Sequence, residues 1–131
     1  MEVLVPMDTS ECSRRALEDA TEVVSAVGGS IDVVHFTDVR DEAAEALLDD
    51  AVDLLEMNDV AGEVEIASDV RVNDPRPSTH IGKRVLRLVE ERGYDRVVMG
   101  HHGTGRIGRM LLGSSAETVV KATEIPVTIV P

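Results

Sequence analysis

Residues 99–115 read MGHHGTGRIGRMLLGSS, five glycines in seventeen residues, with Arg106 and Arg109 among them. Glycine suits places where a backbone must take a positive φ or come close to a ligand. A phosphate cradle, a dinucleotide fingerprint and a flexible connector are the three readings open to such a loop. GTGRIG (103–108) matches G-x-G-x-x-G literally. That fingerprint belongs in a first βα turn, with an acidic residue about 20 positions on at the end of the next strand. Here the next apolar run ends at Val130 without an acid, and no G-x-x-x-x-G-K-[ST] is present either. What remains is the wider spacing Gly100, Gly103, Gly113, Ser114, or G-x2-G-x9-G-S.

The surroundings of that spacing carry more than its count. Gly100 leaves an apolar strand-like run, and Gly113 and Ser114 open the last helical stretch. A helix N-terminus offers unpaired N–H groups and a partial positive charge, which favour an anion there by roughly 0.3–1 kcal/mol from the dipole alone. Ser114 can cap that helix or offer its hydroxyl to a phosphate. Arg106 and Arg109 stand where a polyphosphate could reach them, or are simply solvated.

Other reactive side chains point to less. Asp8 follows the first apolar run and is also a good helix N-cap. His101-His102 is an adjacent pair with no third metal ligand in register. His35 sits in an apolar run and reads as a hydrogen-bonded core residue. Cys12 lies near a helix start, but it falls on the apolar stripe and reads as a packed thiol. No catalytic residue is identifiable and no base for water is in view, so ligand binding with at most slow hydrolysis is expected.

The elements that must position these groups alternate. EVLVP (2–6), IDVVHF (31–36), EVEIASDVRV (63–72), DRVVM (95–99) and IPVTIV (125–130) read as strands, the third nearer a sheet edge and the last also an edge. Thr9 or Ser10 caps a first helix, whose stripe is read as Cys12, Ala16, Ala20, Val23 and Val27, with Gly28-Gly29 as its stop. A second helix over 41–57 carries Ala44, Leu47, Leu48, Ala51, Leu54 and Leu55 on one face. NDPRPST (73–79) reads as a loop. Ser78 or Thr79 caps a third helix, with Ile81, Val85, Leu88 and Val89 inward and Gly93 at its end. SAETVVKAT (115–123) forms a short fourth. The order βαβαβαβαβ predicts an α/β fold, an open doubly wound parallel sheet with helices on both faces.

At 131 residues the chain predicts one domain over 1–131, with a core of Val, Ile, Leu and Ala, since it has one Tyr, one Phe and no Trp. A net charge of −12, from 25 acids against 13 bases, argues against nucleic-acid contact. Lys83 and Lys121 are the only lysines, and surplus acid with scarce lysine suits a halophilic protein. The single cysteine, Cys12, fits a reducing cytoplasm. The start MEVLVPMD reads as a strand rather than a leader, and no apolar run reaches the roughly 18 residues of a membrane helix.

With these residues in view the whole chain resembles the universal stress protein family, in its nucleotide-binding form. The resemblance is carried by LVPMD, VVHF, VVMGHHG, LLGSSAETVV and IPVTIVP. G-x2-G-x9-G-[ST] is that family's ATP-binding signature and is complete here. The resemblance implies a five-stranded sheet in the order 3-2-1-4-5, with a switch point between the first and fourth strands, where ligands bind outside the carboxyl ends. Asp8 and Gly100 follow those two strands, so distant segments converge on one crevice. By the resemblance Asp8 contacts the adenine edge, and Phe36 hydrogen-bonds adenine through its backbone. Gly100, His102 and Gly103 line ribose and phosphates. Gly113, Ser114 and Ser115 hold the phosphates, with Arg106 and Arg109 in reach. ATP is the implied ligand, with AMP or ADP as variants and Mg accompanying ATP. A homodimer through strand 125–130 is implied, against an edge blunted by Pro126 and Pro131. One departure falls before the third helix, where VRVNDPRPSTHIG lacks the family's frequent glycine at the strand exit. The implied role is a nucleotide-dependent regulator of stress or energy state. The alternative is a nucleotide-free homodimeric adaptor of the same fold.

Overall fold

The computed structural model describes residues 1–67, 77–101 and 112–131. Its elements run β1 (Glu2–Met7), α1 (Glu11–Val27), β2 (Ser30–Phe36), α2 (Glu42–Met57), β3 (Val64–Ala67), α3 (Pro77–Arg92), β4 (Arg96–Gly100), α4 (Ser114–Ala122) and β5 (Val127–Val130). The strands form one parallel sheet in the order β3-β2-β1-β4-β5. The α/β class and the strand order agree with expectation, and β3 and β5 are the edges.

Side chains alternate across each strand, so one strand feeds two cores. Val3, Val5 and Met7 of β1 meet Ala16, Leu17, Ala20 and Val24 of α1 and Leu47, Ala51 and Leu55 of α2. On the opposite face Leu4, Val34, Val97 and Met99 meet Val85 of α3 and Ala116 and Val119 of α4. Helices α1 and α2 therefore cover one face, and α3 and α4 the other. Each fully buried aliphatic side chain contributes roughly 1.5–3 kcal/mol over exposure. That supports a core built with one buried Phe and one buried Tyr.

The structure corrects three local expectations. Val23 and Val27 of α1 are exposed, at 40% and 65%, and the buried stripe runs through Ser13, Leu17, Thr21 and Val24 instead. Two hydroxyl residues sit there because both are satisfied. Ser13 Oγ donates within the preceding turn, and Thr21 Oγ1 donates to the Glu18 carbonyl at 2.8 Å. Helix α3 begins at Pro77, inside the expected loop, which suits a residue with no N–H to leave unpaired in the first turn. The N-cap of α4 is Gly113 with no side-chain cap, and Ser114 is already helical. Strand β3 is described only over Val64–Ala67, and 68–72 lie outside the described residues. Elsewhere the caps follow chemistry. Asp41 Oδ1 accepts from Ala44 N at 2.9 Å to start α2, and Gly28 at φ +86° closes α1 with its N–H on the Val24 carbonyl.

Candidate functional site

From β1 the chain moves outward to β2 and β3, and α3 then carries it back across β1 to β4. The turns after β1 and β4 thus leave their strands in opposite directions and open a crevice at the carboxyl ends. The two strands pair only at Val3↔Arg96 and Leu4↔Val97. Pro6 explains why the pairing stops. Met1, just before β1, accepts from Ser30 N of β2 and Glu2 accepts from Asp95 N, so even-numbered residues of β1 face β4. Pro6 is next on that side after Leu4 and has no N–H to give, so the ladder loses a donor where the pairing ends. Continuing the register puts Asp8 level with His101.

Asp8 occupies the turn into α1. Its Oδ1 accepts from Ser10 N at 2.8 Å, and among the described residues no donor meets Oδ2. Ser10, not Asp8, is the N-cap, accepting from Ser13 N at 3.3 Å. Ser13 Oγ lies 2.8 Å from the Asp8 carbonyl and 3.0 Å from that of Ser10, and it accepts from Asp8 N at 3.3 Å. The cap therefore belongs to the serines, and the half-buried Asp8 carboxylate spends one oxygen on the Ser10 N–H.

Gly100 ends β4 against the first turn of α1. A Cβ there would lie 2.6 Å from Cys12 Sγ and 2.9 Å from Ser13 N. The close approach of α1 leaves no room for a side chain at this position. His101 N donates to the Val130 carbonyl at 2.9 Å, and Gly113 N donates to the His101 carbonyl at 2.6 Å. The start of α4 is thus held beside the end of β4. In this structure the Gly113 N–H is spent on the His101 carbonyl. The next amides, of Ser114 to Ala116, belong to the first turn, where the helix has no carbonyl four residues back, and the Glu117 N–H is the first to find one, at Gly113. Ser114 is exposed, Ser115 half-buried, and Glu117 in the same turn pairs with Lys121 at 2.6 Å.

On the far side Phe36 ends β2, buried, with the Arg84 guanidinium 5.9 Å from its ring centroid. Val33 N and Thr37 N donate toward β3, so the backbone groups of Phe36 face the β1 side. The last β1–β2 pair is Met7↔His35, which leaves the Phe36 carbonyl beyond the ladder. His35, buried, donates from Nδ1 to the Met7 carbonyl at 2.8 Å, the satisfied core role expected of it. Cys12 is a buried thiol. Among the described residues no group of three His, Cys, Asp or Glu can hold a metal.

The structure therefore brings Asp8, Phe36, Gly100, Gly113, Ser114 and Ser115 to the carboxyl end of the sheet. His102, Gly103, Arg106 and Arg109 lie outside the described residues. Sequence reasoning missed Pro6, Ser13 and Arg84. Pro6 was legible, since proline inside a central strand signals an interrupted ladder. Ser13 and Arg84 gave no signal, because their partners are set by tertiary contact. Chemically, the crevice offers acceptors on the β1 and β2 side, and donors at the α4 end.

The family model described as "Universal stress protein family" matches residues 1–131. Universal stress protein MJ0577 of Methanocaldococcus jannaschii is 35% identical over 48 residues, which is 37% of this chain and 30% of that protein. The aligned stretch is thus under a third of the relative's length. The universal stress protein from Archaeoglobus fulgidus in complex with dAMP superposes with a TM-score of 0.71 at 23% identity, over 100% of this chain and 98% of that one. A universal stress protein in complex with cAMP superposes with a TM-score of 0.73 at 24% identity, over 99% and 95% of the two chains. At these identities the superpositions establish the fold. Among the described residues no helix is long and apolar enough to cross a membrane.

Proposed function

Because the chain belongs to the universal stress protein family, we propose that it binds an adenine nucleotide, ATP foremost, in the crevice between β1 and β4. The observation that carries this reading is the Gly113 N to His101 carbonyl bond, which sets the start of α4 beside the end of β4 and opposite Asp8. Donors and acceptors then match the two ends of the ligand. The adenine amino group needs acceptors, which Asp8 Oδ2 and the Phe36 carbonyl offer. Phosphates need donors, which the first-turn amides of α4 and the Ser114 and Ser115 hydroxyls offer. His102, Gly103, Arg106 and Arg109 complete the phosphate side in this reading, and Mg accompanies ATP. The complexes of two fold neighbours with cAMP and dAMP support the ligand class.

The protein acts, in this reading, as a cytoplasmic homodimeric regulator that reports nucleotide state to partners, with hydrolysis slow at most. The test is calorimetric titration of nucleotide-stripped protein with Mg-ATP in molar KCl. Micromolar affinity corresponds to about −8 kcal/mol and gives a clear isotherm. One site per chain is expected. A folded sample that takes up no ATP, ADP or AMP overturns the reading in favour of a nucleotide-free adaptor.

A further inference from the structure

Helix α3 carries a glycine, Gly82, in its interior, buried and without a positive φ. Glycine inside a helix is destabilising relative to alanine, and here no backbone conformation calls for it. The space around it does. A Cβ on Gly82 would lie 2.7 Å from Thr118 Cβ, 2.9 Å from Thr118 Cγ2 and 3.1 Å from the Ser115 carbonyl oxygen. All three atoms belong to α4, and one is backbone of its first turn. Thr118 cannot swing aside as a whole, because the nearest contact is its own Cβ. Its hydroxyl also donates to the Ser114 carbonyl at 2.8 Å, tying it to the first helical residue.

We propose that Gly82 is a positioning residue for nucleotide phosphates: the bare backbone of α3 sets how deep the first turn of α4 sits at the crevice. The proposal rests on the nucleotide-binding reading above and extends it to a residue outside the crevice. A side chain at 82 pushes α4 outward and displaces the amides and hydroxyls of Ser114 and Ser115 together. Hydrogen bonds weaken steeply with distance and angle, so a displacement of a few tenths of an ångström is felt at every phosphate contact on that turn. Asp8 and Phe36 sit on β1–α1 and β2, and neither is among the nearest atoms that a Cβ at 82 would meet. The effect is therefore divided within one ligand, with the phosphate end loosened and the nucleoside end unchanged.

The experiment compares ATP and adenosine binding to wild type, Gly82→Ala, Thr118→Gly and the double variant by calorimetry. The Kd ratio of the two ligands is read on the folded fraction and does not depend on lost stability. In Gly82→Ala the ATP Kd is expected to rise about tenfold, with adenosine within about twofold. The double variant, which removes both Thr118 contacts, is expected to regain ATP affinity relative to Gly82→Ala. Equal losses for ATP and adenosine, or no change for either, overturn the proposal while leaving nucleotide binding standing. A folded wild type that binds neither ligand overturns both.

Discussion

At the scale of single residues the turn after β1 divides two tasks that the sequence left joined. Asp8 reads equally as cap and as ligand contact, because aspartate serves both. The structure gives the cap to Ser10 and leaves Asp8 Oδ2 without a donor among the described residues. Asp8→Ala is therefore expected to cost less stability than loss of a cap, while ATP and adenosine affinities fall together by about tenfold. Calorimetry alongside thermal melting checks this, and unchanged affinity for both ligands would remove Asp8 from the site. At the opposite end of the sheet, Tyr94 Oη donates to Asp32 Oδ2 at 2.6 Å. Burial, with help from that bond, pushes its pKa up to about 12. The ordinary value is about 10, so the fold favours the neutral phenol. Its stabilisation is whole below pH 10 and is lost as pH rises from about 10 to about 12. Tyr94 is the only tyrosine in the chain, so phenolate absorbance reports it alone. A folded-state midpoint near 10 would refute the shift. Denaturation from pH 9 to 12 should show wild type losing an increment of stability that Tyr94→Phe does not lose.

At the scale of elements, what was legible follows local chemistry. Ser10, Asp41 and Gly28 mark helix ends through bonds their own types make, and the sequence places those ends within a residue or so. Helix α3 begins earlier than expected because two prolines in NDPRPST read as a loop, although Pro77 suits a first helical position. The stripe of α1 was misplaced for a different reason. Ser13 and Thr21 are polar by type but buried by virtue of bonds to carbonyls nearby, which hydropathy does not register. Strand β5 carries an expectation that now has a defined geometry. Pro126 and Val130 accept from Val97 and His101, so even-numbered residues of β5 face β4. The backbone groups of Val127 and Ile129 then point off the sheet edge, a template for a second copy. Ile129→Pro removes one outward N–H and leaves the β4 ladder intact. Sedimentation should show the proposed dimer weakened by this change. A dimer of unaltered affinity would place the interface elsewhere.

At the scale of the whole molecule, βα alternation made the parallel sheet legible, whereas the order 3-2-1-4-5 came only with the family resemblance. The crevice itself needed the fold, because Asp8, Phe36 and Gly100 come to one end of the sheet through crossovers that no local spacing records. Net charge is different, being a property of the chain before it folds. The charge of −12 leaves carboxylates unbalanced across the surface. Exposed pairs such as Arg14–Asp50, Arg40–Glu45 and Lys121–Glu117 offset little of this, since each contributes about 0–1 kcal/mol. Salt acts on the two terms in opposite senses, weakening the pairs and relieving the repulsion. The Debye length falls from about 30 Å at 0.01 M to about 10 Å at 0.1 M and about 3 Å at 1 M. Simple screening of repulsion is therefore nearly spent by a few tenths molar. A chain adapted to concentrated salt should go on gaining stability beyond that point, through to molar KCl. Urea midpoints measured across this range separate the cases. A continued rise supports the halophilic reading. A plateau near 0.3 M reduces the acid excess to ordinary self-repulsion, and a steady fall would mean that the few ion pairs outweigh it.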